Sequence, residues 1–163
     1  MKQNMYKWIE DLNRNGSKKT MPVLTFPSVQ LMGVTVKELI SSSDLQAKGM
    51  KLIADRVDSL AGVSYMDLSV EAEAFGAEIK VSDDEVPTVA STLVNTKEDA
   101  ENLKVPSVYS GRTSLYIEAM RKVLDMVTDR PMFAGMIGPY SLAGRLVDVT
   151  KSMIYCMKEP ELM

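Results

Sequence analysis

The chain has 163 residues, 45% hydrophobic and 25% charged, a globular composition with room for a sizeable core and unlike that of a disordered or fibrous chain. Lys and Arg number 19 against 22 Asp and Glu, a formal net charge of −3, which argues against a nucleic-acid binder held by phosphate contacts. There is no His, so imidazole is excluded as base, proton shuttle or metal ligand within these residues.

The first predicted element is a short amphipathic helix over Met5–Leu12, ended at Asn15-Gly16-Ser17 by a glycine suited to a left-handed cap. Its polar, charged surroundings are not those of a signal peptide. Met21–Phe26, rich in β-formers and stopped by Pro27, reads as a buried strand. Pro27–Gly33 reads as a loop leading to a short helix over Val36–Ile40. Ser43 or Asp44 caps a long helix running to about Ser59, with Leu45, Gly49, Leu52, Ile53 and Val57 on one stripe.

Ala61–Met66 reads as a second buried strand with Asp67 at its end, and Val70–Phe75 as a short helix closed by Gly76. Ala77–Val81 and Thr88–Val94 flank an acidic turn and predict a small hairpin. Thr96 caps a helix over Lys97–Leu103. Thr113–Val127 carries the clearest helical stripe. Met132–Ile137 is an apolar strand broken by Gly138-Pro139. Helices follow from near Ser141 and over Thr150–Met157. Pro131–Gly144, a charge-free stretch, contains Gly and Pro and is too short to span a bilayer.

Buried strands alternating with amphipathic helices predict an α/β fold with a parallel sheet and right-handed crossovers. Lys158-Glu159-Pro160-Glu161 has the form of a helix start. With only three long-range parallel strands visible, this predicts the first part of a larger domain, the alternative being a frayed tail. Residues 1–19 form a lead-in and residues 20–163 the domain.

Ligands of parallel α/β folds sit at the carboxyl ends of the strands. Three places qualify here: Pro27–Gly33, Asp67–Glu73 and Gly138–Arg145. Asp67 reads equally as a cleft-mouth carboxylate and as a helix N-cap, with Ser69 a competing cap. Glu71 and Glu73, two residues apart, point to different sides of a helix and do not make an acid/base dyad. Gly138–Arg145 is a strand-to-helix turn without the Lys-Ser/Thr pair of a P-loop, and by pattern alone a plain turn. Cys156, the one cysteine, forms no intramolecular disulfide, which fits a reducing, cytoplasmic setting. It reads as a small buried apolar residue on a helix rather than a nucleophile. The 13 Met residues read as core filling, not as a metal site.

Two of these segments resemble the uroporphyrinogen decarboxylase superfamily. Ser64-Tyr-Met-Asp-Leu-Ser-Val-Glu-Ala-Glu-Ala-Phe-Gly76 resembles its second-strand region, where an Asp at the strand end is followed nine residues later by Gly. Gly138-Pro-Tyr-Ser-Leu-Ala143 resembles its G-x-P-x-T-L-A turn after the third strand, with one residue fewer before the Pro. The resemblance runs from about Pro22 to the last residue and implies the N-terminal part of a (β/α)8 TIM barrel. About three to four parallel strands, flanking helices and a small hairpin insertion are expected.

Val70–Ala77 and Gly111-Arg-Thr look closer to the corrinoid-dependent methyltransferase branch. The decarboxylases carry an Arg-rich loop after the first strand; here Phe26–Gly33 has no Arg. Their Tyr after the third-strand turn falls at Arg145. The resemblance thus implies a corrinoid-linked methyltransferase that moves a methyl group from a methylcobamide to a thiol or similar acceptor. The alternatives are a uroporphyrinogen decarboxylase of porphyrin biosynthesis, a lyase, with Asp67 stabilising pyrrole N–H charge, and a non-catalytic binding module completing a split barrel.

On this reading Asp67 is the catalytic candidate, with Gln30, Tyr140 and Arg145 binding substrate. The methyltransferase branch uses zinc held by a His-x-Cys pair and a further Cys, all in the second half of the barrel. The resemblance therefore implies no cofactor bound by this chain alone. The implied partners are a corrinoid protein or small-molecule substrate, and the missing C-terminal half-barrel or a second copy of the chain, with no nucleic acid and no membrane.

Overall fold

The computed structural model describes residues 4–16 and 18–162; Ser17 of the predicted helix stop and the terminal Met163 lie outside the described residues. Helix α1 (Met5–Asn15) starts where the Asn4 side chain accepts the Lys7 N–H, and ends at Gly16 with φ +62. It runs one turn past the predicted Leu12. Trp8 packs a tilted ring against Phe133, centroids 6.1 Å apart.

The run 21–26 forms no strand, contrary to expectation. Met21, Val23 and Leu24 are exposed rather than buried, and Pro22 has no N–H to give a ladder. The run is fastened to the next segment by a side chain instead: the Thr25 hydroxyl lies 3.2 Å from the Val63 carbonyl and 3.1 Å from that of Ser64. The predicted loop after it is a short helix, α2 (Ser28–Met32), closed by Gly33 at φ +65.

Helix α3 (Val36–Ile40) opens with a reciprocal capping box between Thr35 and Glu38. Helix α4 (Ser43–Arg56) is capped by Ser42, one residue before the predicted cap, and stops three residues short of Ser59. Strand β1 (Gly62–Val63) leads through 64–69 into α5 (Val70–Ala74). The predicted hairpin is present as β2 (Ile79–Lys80) antiparallel to β3 (Thr88–Val89). Helices α6 (Lys97–Asn102), capped by Thr96, and α7 (Thr113–Met126) follow. Then come β4 (Met132–Phe133), α8 (Pro139–Val147), α9 (Val149–Lys158) and a 3-10 turn at Pro160–Leu162.

Strand β1 pairs in parallel with β4, Gly62 opposite Met132 and Val63 opposite Phe133. Ladder bonds extend on either side, from Gly62 N–H to Pro131 and from Ser64 N–H to Phe133. Regular pairing is thus shorter than the predicted runs 61–66 and 132–137. Helices α4 and α7 pack on one side of this pair, burying Leu39, Ala47, Met50, Tyr65, Ala119 and Val123. At roughly 25 cal/mol per Å2 of apolar surface removed from water, such side chains hold the two helices on the strands. A second cluster, Ala72, Ala77, Val94, Leu146 and Val147, joins α5, the hairpin and α8.

Candidate active site

The strands end at two loops, 64–69 and 134–138, and a cavity of about 520 Å3 opens beside them. Tyr65–Leu68, the inner face of α5, the loop 105–108, the start of α7 and Gly135–Ile137 line it. The lining is mainly apolar. This is where a parallel α/β fold places its ligand, because the connections after the strands are free to vary there.

Asp67 sits in this wall with its side chain fully buried. It does not cap α5; Ser69 occupies the cap position, without a side-chain cap bond. Asp67 is instead the centre of a charged cluster. Its Oδ1 accepts the Ser69 N–H at 2.9 Å and the Ser69 hydroxyl at 2.5 Å. Its Oδ2 accepts from Arg112 Nη1 at 2.6 Å and from the Tyr116 hydroxyl at 3.0 Å. A carboxylate offers about four lone-pair positions, and all four have donors.

Arg112 stands immediately before α7 and reaches three partners. Besides Asp67, its Nη2 donates to the Ser69 hydroxyl at 2.8 Å and its Nε to Glu73 at 2.5 Å. Burial works against the guanidinium charge, but Asp67 and Glu73 outweigh it and raise its pKa. Burial first, then the Asp67 charge, pushes the Tyr116 phenol above its usual range. Burial also pushes Tyr65 up to about 12, although the Ser28 hydroxyl, 2.6 Å away, works the other way. Glu71 closes the opposite side of the site: its Oε1 accepts the Ile137 N–H at 3.1 Å and so ties α5 to the loop after β4.

Of the residues named from the sequence, Asp67 lines the cavity. Gln30 is exposed on α2, Tyr140 exposed and Arg145 half-buried on α8, and none of the three is among the lining side chains. The sequence reading missed Arg112, Tyr116 and Ser69 as a unit with Asp67. Gly111-Arg-Thr was legible only as family wording, because Arg112 is 45 residues from Asp67 and no local spacing links them.

The zinc implied by the methyltransferase branch finds no donor set here. The chain has no His, Cys156 is on α9 but exposed rather than buried as expected, and among the described residues no three His, Cys, Asp or Glu side chains share a metal-binding position. Among the described residues no helix is long and apolar enough to cross a membrane.

Fold and site together define a partial parallel α/β barrel with its cleft at the strand ends. A family model for uroporphyrinogen decarboxylase (URO-D) matches residues 21–163, and the chain belongs to that family. Methylcobamide:CoM methyltransferase MtbA of Methanosarcina acetivorans is 39% identical over 79 residues, 47% of this chain and 23% of that protein. A solved methyltransferase from Methanosarcina mazei superposes with a TM-score of 0.74 at 26% identity, over 88% of this chain and 43% of that one. The chain spans less than half the length of these relatives, and its fold is the N-terminal part of a TIM barrel.

Proposed function

We propose that this chain is the N-terminal half-barrel of a corrinoid-linked methyltransferase. Its substrate is a methylcobamide, whose methyl group passes to a thiol or similar acceptor. In that reaction the thiolate sulfur takes the methyl carbon and the carbon–cobalt electron pair stays on cobalt. No step is assigned to zinc, for which these residues supply no site.

The observation that carries the choice within the family is the saturation of Asp67. A decarboxylase mechanism needs this carboxylate free to accept pyrrole N–H donors. Here Ser69, Arg112 and Tyr116 occupy both oxygens. Asp67 is then a positioning residue, which holds Tyr116 at the cavity wall and the 64–69 loop against α7. The loop without Arg at Phe26–Gly33 also weakens the decarboxylase reading. Gln30, Tyr140 and Arg145 do not line this cavity.

The remaining barrel strands and their metal chemistry belong, on this reading, to a C-terminal half-barrel, which completes the sheet beyond the β1–β4 pair. The test has two arms. Methylcobalamin is titrated into the chain and the backbone amide resonances of 65–74 and 135–137 are followed. Demethylation of methylcobalamin by 2-mercaptoethanol is then followed by absorbance, with and without the C-terminal half-barrel of a family member. Selective shifts at the cavity, with turnover only in the completed barrel, support the proposal. Shifts with uroporphyrinogen and none with methylcobalamin overturn it for the decarboxylase. Response to neither ligand, with or without the second half, overturns it for a non-catalytic module.

A further inference from the structure

The cavity wall carries an electrostatic preference. Among the described residues, none of the side chains lining the cavity is Lys or Arg. Arg112, behind the wall, is committed to Asp67 and Glu73. Glu71 lines the cavity and has no ion-pair partner among the described residues. Only its Oε1 is engaged, by the Ile137 N–H. Arg112 is thus matched by Asp67 and Glu73, and Glu71, on the opposite side of the site, adds a carboxylate that no cation pairs among the described residues.

Hydrogen-bond polarity points the same way. The Tyr116 hydroxyl hydrogen is directed to Asp67, so its oxygen can only accept from a ligand. Glu71 as a carboxylate also only accepts. An anionic group entering here would meet an unpaired negative charge, no compensating cation and no free charged donor, in a lining of low polarity where such charges interact strongly.

We infer that the part of the substrate bound against this half of the barrel is apolar, and uncharged or cationic, and presents N–H donors to Glu71 and Tyr116. Carboxamide-bearing faces fit this description; carboxylate, sulfonate and phosphate groups do not. The inference rests on the proposed reading that this cavity is the substrate site. It assigns the anionic portions of any substrate to contacts outside this cavity.

Three probes with one apolar body test it: 2-naphthamide, 2-naphthylmethylammonium and 2-naphthoate. Each is titrated into the full 163-residue chain, and binding is read from the amide resonances of Asp67–Ala74 and Gly135–Ile137. The amide and the ammonium are expected to bind there, and the carboxylate at least about tenfold more weakly. Glu71→Gln keeps an oxygen for the Ile137 N–H and removes the charge. It is expected to narrow the ammonium-to-carboxylate ratio by about tenfold, as for one unit charge near a partly desolvated ligand. Naphthoate binding at the cavity as tightly as the ammonium, or an unchanged ratio in the variant, overturns the inference and leaves the methyltransferase reading standing. Failure of every probe to move these resonances overturns the inference, and the methylcobalamin titration decides the methyltransferase reading separately.

Discussion

At the scale of single residues, Arg112 is the side chain on which the site depends most. Its own side chain is 11% exposed and that of Asp67 is 0% exposed. Removing a partner from a buried ion pair leaves the other charge stranded, at a cost of about 3–5 kcal/mol. Arg112→Leu is expected to lower stability by that amount in denaturant titration. Arg112→Lys keeps the charge but cannot fork to Asp67, Ser69 and Glu73 together, and is expected to fall between the two. A Leu variant as stable as the parent would show that the cluster does not hold the site. The tyrosines beside it make a pH prediction. In the unfolded chain their phenols ionise near pH 10, whereas folded Tyr65 ionises near 12 and Tyr116 higher still. The unfolded state therefore loses protons first as pH rises. The stability these phenols contribute is fully present below pH 10 and declines above it, by about 1.4 kcal/mol per pH unit for each tyrosine up to pH 12. Stability measured from pH 9 to 12 is expected to show this slope, and Tyr116→Phe to halve it. Asp67 was legible in the sequence because it ends an apolar run and matches a family motif. Its partners were not, since a salt bridge across 45 residues leaves no periodic trace.

At the scale of elements, the helices were easier to read than the strands. Capping and 3.6-residue periodicity are local, so α3, α6 and α7 fall within a residue or two of expectation. Strand status depends on what lies alongside. The run 21–26 has the composition of a strand, yet only the Thr25 hydroxyl bridges it to Val63 and Ser64. Gly49 was read as one position of an apolar stripe, and its role is more specific. A Cβ there would lie 2.0 Å from Tyr65 Oη and 2.6 Å from Ser28 Oγ, so the missing side chain is what lets α4 approach the buried Tyr65–Ser28 pair. Gly49→Ala gains about 1 kcal/mol of helix propensity but overpacks a buried hydrogen bond, which costs about 1–3 kcal/mol. Net destabilisation is expected. In a double-mutant cycle, Tyr65→Phe removes the nearer oxygen and is expected to shrink the Gly49→Ala penalty. Purely additive energies would show that the clash is relieved elsewhere.

At the scale of the whole molecule, the strands and the last helix leave surface that the described chain does not cover. Among the described residues β4 pairs with β1 alone, and an unpaired parallel edge is a template for further strands. Helix α9 turns Ser152 inward, fully buried, and leaves Val149, Met153 and Met157 exposed at 51%, 61% and 87%. These three are four residues apart, so they form one stripe along the outer face. Exposed Met136 and Tyr140, on the loop after β4 and at the start of α8, add to the uncovered apolar surface. Exposed apolar surface of this kind suits an interface better than a solvated face, and the proposed C-terminal half-barrel is the partner expected to cover it. The chain by itself is therefore expected to bind the dye ANS and to self-associate as its concentration rises. Met153→Lys with Met157→Lys is expected to weaken both effects, with little change in unfolding free energy because both side chains are largely exposed. Adding the C-terminal half-barrel of a family member is expected to suppress dye binding and replace self-association with a one-to-one complex in sedimentation. A chain that stays monomeric and dye-free at high concentration would refute the half-barrel account, because the same stripe would then be an ordinary solvated surface.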